Sequence, residues 1–250
     1  MGRSALRVSP ICVGMVGSAE VALTAFDAGI NFFFVSADLH WSRYAALRDG
    51  LAQLLARRPS VRAHLVVAGV SYMTQPEFCW APFDELIAAI PGLDHLDIHV
   101  AGGVYGREWS ARSREYRAQL AESFLGVRAI GASFHDRAPL ARVINSEAID
   151  IAFARYNPFH TGMRDEVFPA LVPSRTLLYN FKSTAAHVGA SRCTELGLGP
   201  EYWRPHVVDS WTDEIVSEEP GAPGVGDEMD DPVHGNRRRR PHELQQDGDD

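Results

Sequence analysis

Lysine is almost absent from this sequence. Of the 24 basic residues, 23 are arginines and one is a lysine, Lys182. Any mechanism that needs a primary amine therefore has a single candidate. A skew of this kind usually reflects a GC-rich coding sequence, so the arginines alone do not indicate anion binding.

Cysteines and long apolar runs are also scarce. The three cysteines, Cys12, Cys79 and Cys193, are widely spaced, which excludes a disulfide framework and a cysteine zinc site. No apolar run approaches the roughly 18 residues that cross a bilayer. The N-terminus has neither the apolar region nor the cleavage site of a signal peptide. We expect a soluble cytoplasmic protein with no membrane partner.

The negative charge is concentrated at the C-terminus. Residues 217–250 contain ten acidic residues and four arginines, a net of −6 out of −8 for the chain. This segment is rich in proline and glycine and has few large apolar side chains, so it predicts a disordered acidic tail. Acidic residues flank the run Arg237–Arg240, so we expect no nucleic-acid partner. The prediction is one folded domain over 1–216.

Within that domain, short apolar segments alternate with amphipathic ones. Strands are predicted at 11–15, 30–36, 64–71, 96–102, 127–133, 149–156 and 176–182. Helices are predicted near 18–28, 41–57, 82–90, 109–123, 137–146, 163–171 and 190–196. Buried strands separated by helices indicate a parallel sheet with right-handed crossovers. Seven such units favour an α/β fold of the TIM-type (β/α) barrel class, lacking a recognisable eighth unit. A doubly wound sheet is the alternative, but VGMVGS (13–18) lacks the glycine spacing of its phosphate loop.

Polar residues follow the predicted strands at the end where barrel enzymes carry their chemistry. The candidates are Asp38 and His40 after the second strand, Ser133 and His135 after the fifth, Asn157 and His160 after the sixth, and Lys182 at the end of the seventh.

Three segments resemble the aldo-keto reductases. GINFFFVSADLHW (29–41) resembles their second-strand motif, VRAIGASFHD (127–136) their fifth strand and AIDIAFARYNPFH (148–160) their sixth. The resemblance covers about residues 8–185. It implies a TIM-type barrel. It also implies an ancestral activity in which NADPH reduces a carbonyl, with an Asp, a Tyr, a Lys and a His as the catalytic tetrad.

The tetrad does not carry over to this sequence. Aligned with the family, the Asp falls at Val35, the Tyr at His40, the Lys at Gly69 and the His at about Gly102. One extra phenylalanine in the second strand allows a shift of one residue there. The third strand, HLVVAGVS, contains no lysine in any register. Ordinary NADPH-dependent carbonyl reduction is therefore not expected.

The cofactor side of the family motif is only partly retained. Ser133 matches the serine that touches the nicotinamide amide, and Asn157 is a second candidate for cofactor contact. Phe134 and Phe153 replace the family's asparagine and glutamine. The eighth unit and the phosphate-binding loop are not recognisable beyond about residue 205. We therefore expect no cofactor and regard NADPH as disfavoured.

A barrel of seven units leaves two strand edges unpaired. Such edges expose hydrogen-bonding groups that invite pairing with another strand. We expect a second copy of the chain, a partner subunit or residues 197–216 to cover the gap.

Three functions are compatible with the sequence. The first is a repurposed enzyme acting on a small molecule, in bacterial specialised metabolism, without hydride transfer. Its candidate catalytic residues are Asp38, His40, His135, His160 and, for an imine mechanism, Lys182. No compact spacing supports a metal site. The second function is an NAD(P)H-dependent oxidoreductase with a relocated proton donor such as His40 or Tyr72. The third is a non-catalytic barrel that binds a ligand or a partner subunit.

Overall fold

A computed structural model describes residues 4–104, 109–146, 149–157, 161–172 and 175–181. The chain alternates strands with helices as predicted. The strands are β1 (Cys12–Val13), β2 (Phe32–Ser36), β3 (Val66–Ser71), β4 (Ile98–Ala101), β5 (Ala129–Phe134), β6 (Ile151–Arg155) and β7 (Leu177–Phe181). The helices are α1 (Ala19–Asp27), α2 (Ala45–Arg57), α3 (Ala81–Ala89), α4 (Trp109–Ala121), α5 (Arg137–Val143) and α6 (Met163–Glu166). The predicted helix at 190–196 and the acidic tail lie outside the described residues.

The seven strands form one parallel sheet in the order β1-β2-β3-β4-β5-β6-β7. This order, with a helix after each of the first six strands, gives a nearly closed TIM-type barrel and confirms the predicted fold class. Within the described residues no strand ladder joins β7 to β1. Tyr179 of β7 crosses this seam, donating its hydroxyl hydrogen to the carbonyl oxygen of Ser9. That a second copy, a partner subunit or residues 197–216 cover the open edges of β1 and β7 stays a prediction.

Alternate side chains of each strand belong to two separate apolar cores. One core fills the inside of the barrel and includes Phe32, Val66, Val70, Ile98 and Phe153, with Leu6 of the N-terminal segment packed against them. The other lies between the sheet and the helices and includes Phe33, Val35, Val67, Ile130 and Ala152. Because both faces of β2 to β6 are buried, their sequences are nearly continuous apolar runs without alternation.

The sixth helix is shorter than the sequence predicts. A helix was expected over 163–171, but α6 ends at Glu166 and a 3-10 turn follows at Phe168–Ala170. Proline has no N–H and disfavours helical backbone in the residue before it. Pro169 therefore prevents a regular helix from continuing through this segment. The longest helices, α2 and α4, have 13 residues each, and no described helix is long and apolar enough to cross a bilayer.

A polar residue precedes each even-numbered strand at the N-terminal end of the barrel. Asn31 precedes β2 and accepts a hydrogen bond from the amide of Ser9 at 2.7 Å. The carboxylate of Asp97, before β4, accepts from the amide of Val67 at 2.9 Å. Asp150, before β6, accepts from the amide of Ile130 at 3.0 Å. Each side chain thus fixes its own strand to the preceding one.

Asp97 is also the centre of an ionic network. Its carboxylate is completely buried and lies 3.4 Å from Arg62, 3.1 Å from Arg128 and 3.4 Å from Nε2 of His95. Arg62 also pairs with Asp94 at 2.8 Å. Each charged side chain in this network therefore lies close to one of opposite charge, and the buried Asp97 carboxylate is compensated.

Candidate active site

Asp38 joins the C-terminal ends of β2 and β3. Its Oδ2 accepts hydrogen bonds from the hydroxyl of Ser71 and the amide of Tyr72, both at 2.8 Å, and its Oδ1 accepts from the amide of Leu39 at 2.6 Å. A carboxylate that holds three donors is fixed in orientation. These contacts fix the Asp38 carboxylate between the ends of β2 and β3.

Tyr72 fills the space that Gly102 leaves at the end of β4. A Cβ added at Gly102 would lie 2.8 Å from the Tyr72 ring, so only glycine accommodates the ring in this position. His40 packs edge-on against the same ring, with centroids 5.6 Å apart. His40, which the resemblance aligns with the family's proton donor, therefore contacts Tyr72. The Tyr72 ring in turn fills the space beside Gly102, which the resemblance aligns with the family's histidine.

A buried arginine supports these strand ends from the helical side. Arg112 of α4 is completely buried and donates to the carbonyl oxygens of Gly102 at 3.1 Å and Ser71 at 3.2 Å. Within the described part of the chain, its Nε and the hydroxyl of buried Tyr116 have no hydrogen-bond partner. Burial raises the pKa of the Tyr116 hydroxyl, so it stays protonated. The sequence offered no signal for Arg112 beyond its place among many arginines.

The β5–β6 side carries a second group of polar side chains. His135 follows β5, and its Nδ1 lies 3.4 Å from an Nη of Arg155, the last residue of β6. The His135 ring also packs against the ring of Phe181, with centroids 5.2 Å apart. Ser133 and Asn157 on the same two segments are each only 5% exposed. The two predicted cofactor residues are therefore buried on the same two segments that carry His135 and Arg155.

A small cavity adjoins this group. Its volume is about 240 Å³, and it is lined by residues 135–139 and Glu166. Two of its lining residues, Arg137 and Glu166, form an ion pair at 2.8 Å. Of the polar group above, His135 lines this cavity and Ser133, Arg155 and Asn157 do not.

The positions aligned with the family's Asp and Lys face away from the barrel interior. Val35 belongs to the core between sheet and helices. A Cβ at Gly69 would meet Leu96 at 2.6 Å, on that same side. The inward neighbours of Val35 are Phe34 and Ser36, and those of Gly69 are Ala68 and Val70. A one-residue shift therefore places no carboxylate in β2 and no amine in β3 at the barrel interior.

His99 of β4 points toward the helices and belongs to a separate polar cluster. Its ring stacks on Phe83, with centroids 4.2 Å apart, and its Nδ1 is 2.9 Å from Oε1 of Gln119. Burial lowers the pKa of His99 to about 4, although the bond to Gln119 opposes this. Gln119 also donates to Sγ of Cys79, whose pKa burial raises to about 11. Cys79 is therefore a protonated, inaccessible thiol at neutral pH.

Two predicted catalytic residues, His160 and Lys182, lie outside the described residues. In the described ranges no three His, Cys, Asp or Glu side chains are grouped as metal ligands would be. The remaining candidates form two groups at the rim: Asp38 with His40 and Tyr72, and His135 with Ser133 and Asn157. Arg155 was not predicted, although its spacing of two from Phe153, an interior residue, signals an inward side chain.

Comparison with known proteins identifies relatives at the level of fold. No protein-family model matches the chain, and no curated protein is similar enough to be matched. Among solved structures, a candidate aldo-keto reductase from Pseudomonas aeruginosa is similar with a TM-score of 0.59 and 18% identity, over 74% of this chain and 77% of that one. A glycerol dehydrogenase from Gluconobacter oxydans is similar with a TM-score of 0.56 and 13% identity, over 71% of this chain and 61% of that one.

A third structure supports the same assignment. An aldo-keto reductase from a deep-sea metagenome library is similar with a TM-score of 0.50 and 14% identity, over 66% of this chain and 64% of that one. At these identities the likeness concerns the backbone and not the activity. The chain therefore has the barrel fold of the aldo-keto reductases, as its three sequence motifs predict.

Proposed function

We propose that this protein is an enzyme that performs acid–base chemistry on a small molecule at the rim of its barrel, without hydride transfer, with His135 as the residue that polarises a substrate oxygen. The observation that carries the proposal is the pairing of His135 with Arg155 at the neighbouring ends of β5 and β6. A neutral imidazole can polarise a carbonyl oxygen and make the neighbouring C–H bond more acidic, which suits histidine to this role.

The contact with Arg155 indicates which ring nitrogen acts. A guanidinium can only donate hydrogen bonds, so Nδ1 of His135 serves as the acceptor at 3.4 Å. In the neutral ring the proton is then on Nε2. Nε2–H would donate a hydrogen bond to a substrate carbonyl oxygen and polarise it. The neighbouring C–H bond then becomes more acidic, and its proton passes to water and is replaced from water, so the ring keeps its own proton throughout. Asp38 would hold the opposite side of the rim in place through Ser71 and Tyr72.

The inward positions of β2 and β3 argue against the family's reductive mechanism. Next to the aligned positions they carry Phe34 and Ser36 in β2 and Ala68 and Val70 in β3, and none of these has a carboxylate or an amine. We infer from this that the reductase tetrad has been lost. The imine mechanism at Lys182 stays a prediction, because this residue lies outside the described residues.

The described residues fit a nicotinamide cofactor poorly. Phe153 stands at the family's glutamine position, and its ring packs 4.8 Å from that of Phe34 inside the barrel. Phe134 points to the helical layer, where it packs on Trp109. Two of the polar contacts that the resemblance implies for the ring are therefore replaced by aromatic side chains.

One observation favours an NAD(P)H-dependent oxidoreductase as the second candidate. Ser133 and Asn157 are both buried on adjacent strand ends, where the resemblance implies contacts to the cofactor. In that case the relocated proton donor would be His40 or Tyr72, which contact each other. A non-catalytic barrel is the third candidate, and it should tolerate substitution of His135 and His40 alike.

A proton-exchange experiment tests the proposal without knowledge of the substrate. The protein is incubated in D2O with a panel of ketones, hydroxy acids and oxo acids, and loss of carbon-bound protons is followed by NMR. We expect exchange without any added nicotinamide, reduced by about a hundredfold in His135→Gln. The exposed His64, at the opposite end of the barrel, provides the control His64→Gln. Equal rates in His135→Gln and the parent protein, or no exchange with any compound, would contradict the proposal.

A further inference from the structure

His95 lies between two carboxylates at the N-terminal end of the barrel. It belongs to the loop between α3 and β4, and its side chain is 27% exposed. Nδ1 of its ring is 2.7 Å from Oδ1 of Asp94, and Nε2 is 3.4 Å from Oδ1 of Asp97. Both ring nitrogens therefore face a carboxylate oxygen.

This geometry fits the doubly protonated ring. A neutral imidazole carries a proton on one nitrogen and a lone pair on the other. In the neutral form one of the two carboxylates would face a lone pair, whereas the charged ring offers a proton to each of them. Hydrogen bonds between charged partners are also shorter and stronger than neutral ones. The two carboxylates therefore favour the charged ring over the neutral one.

Two guanidiniums complete the charged surroundings of this ring. Arg62 contacts both carboxylates and donates from Nη2 to the carbonyl oxygen of His95 at 3.0 Å. Arg128 lies 3.1 Å from Asp97. These two positive charges oppose a third one on the ring. Burial by itself would raise the pKa of the Asp94 carboxyl, but the hydrogen bond from Arg62 and the positive charge nearby lower it. The carboxylate nearest to the ring is therefore ionised at neutral pH.

The same residue supports a strained turn. Residues 122–128 connect α4 to β5, and Ser123, Leu125 and Gly126 have φ values of 50°, 50° and 72°. This left-handed region costs energy for residues other than glycine. A Cβ added at Gly126 would lie 2.5 Å from Cβ of His95, so the turn packs directly on this residue. We therefore expect the turn to be ordered only while His95 is held in place.

We propose that His95 is a proton-dependent latch that fixes the turn 122–128 to the N-terminal end of the barrel. The protonated ring joins Asp94 to Asp97 and packs on Gly126. When the pH rises and the ring loses one proton, it loses one of its two contacts with a carboxylate, and the turn opens locally. The latch is independent of the chemistry proposed at the opposite end of the barrel.

NMR of the histidine rings tests the protonation directly. The full-length protein is titrated from about pH 5 to about pH 9, the range in which histidine side chains change charge. The exposed His64, at the same end of the barrel, is the internal reference. We expect the His95 ring to keep both protons at pH values at which His64 has already lost one. Titration of His95 together with His64, or at a lower pH, would overturn the inference.

Hydrogen exchange measures the opening of the turn. Mass spectrometry follows the amides of residues 122–128 in the parent protein and in His95→Gln, and the two are compared at the same pH because exchange itself depends on pH. At low pH we expect exchange about tenfold faster in the variant, the effect of one lost charge-assisted hydrogen bond. The difference should disappear as the pH rises. His64→Gln is the matched control and should exchange as the parent protein does.

Two results of this comparison would contradict the latch. Equal exchange in the parent protein and His95→Gln at every pH would show that His95 does not hold the turn. A difference that stays constant across the pH range would show that packing holds it and that the proton does not.

Asp94→Asn provides a second test, which is also available if His95→Gln does not fold. The substitution keeps the shape of the side chain and removes the nearer negative charge. We expect the His95 ring to lose its proton at a lower pH in this variant than in the parent protein. An unchanged titration of His95 would contradict its bridging position between the two carboxylates.

Discussion

The two ends of the barrel differ in the partners of their completely buried charged side chains. At the N-terminal end, Asp97 is completely buried, but it has Arg62, Arg128 and the amide of Val67 as partners. At the C-terminal end, the completely buried Arg112 binds only two backbone carbonyls among the described residues. Within the described residues, buried Asp97 thus has ion-pair partners, whereas buried Arg112 has none.

From this difference we infer that the N-terminal end mainly stabilises the barrel and that the C-terminal rim carries the proposed function. A buried charge that is fully paired holds the strands together, and losing one partner costs several kcal/mol. Polar side chains at the C-terminal end of a (β/α) barrel instead serve binding and catalysis in enzymes of this architecture. We therefore expect substitutions at the N-terminal end to change stability and those at the rim to change activity.

The largest effect on stability should come from Asp97→Asn. The substitution removes the negative charge that Arg62 and Arg128 share, and we expect a loss of about 3 kcal/mol in the free energy of unfolding. The measurement is urea denaturation at pH 7. Asp94→Asn is the control, because this side chain contacts the same Arg62 but is 67% exposed, so it should cost less than about 1 kcal/mol. Equal losses would show that burial does not distinguish the two carboxylates.

The next largest effect is the pH dependence of the unfolding free energy that His99 contributes. This residue lies in β4, between the two ends of the barrel. Its folded-state pKa is lowered to about 4, whereas an unfolded histidine titrates near 6.5. Between these values the unfolded chain binds the additional proton, so stability is fully present above pH 6.5 and is lost as the pH falls toward 4. From pH 7 to pH 5 the contribution of His99 should fall by about 2 kcal/mol.

A variant isolates this contribution from other titrating groups. In His99→Gln the drop in unfolding free energy from pH 7 to pH 5 should be smaller by that amount, as measured by urea denaturation at both values. An unchanged pH dependence would mean that His99 does not titrate in this range.

Gly102→Ala should lower the free energy of unfolding by an intermediate amount, and its structural change should be limited to the rim. The new methyl group would lie 2.8 Å from the Tyr72 ring, which is bonded at its backbone to Asp38. Overpacking of this kind typically costs about 1–3 kcal/mol. The NMR signals of Tyr72 and His40 should shift as the ring moves. Gly14→Ala is the control, since no atom lies within 4 Å of a Cβ there, and it should leave the rim signals unchanged.

The smallest effect on stability should come from His135→Gln. The side chain is only partly buried, so the unfolding free energy should change by less than about 0.5 kcal/mol. Proton exchange should nevertheless fall by about a hundredfold. A loss of stability comparable to that of Asp97→Asn would remove the distinction between the two ends.

The barrel itself could be predicted from the sequence because most of its strands, β2 to β6, are buried on both faces. Segments such as INFFFVS and HLVVAGVS are mostly apolar, and they form β2 and β3 with their alternate residues in two cores. The length of the sixth helix could not be predicted from periodicity alone, since Pro169 ends the regular pattern within an otherwise suitable segment.

The candidate site could be predicted only in part. Strand ends identify Asp38 and His135, but the contact between His135 and Arg155 depends on the register between β5 and β6. Composition does not help either. In a chain with 23 arginines, nothing in the sequence distinguishes buried Arg112 from the exposed arginines. Its burial follows from the packing of α4, which is a property of the tertiary structure.

The central claim is that this barrel acts without hydride transfer, and a calorimetric titration with NADPH and NADH tests it most directly. We predict no binding of either dinucleotide at concentrations up to about 1 mM, where typical cofactor sites would be saturated. Micromolar binding of either one would contradict the account and restore the oxidoreductase function, with His40 or Tyr72 as the proton donor.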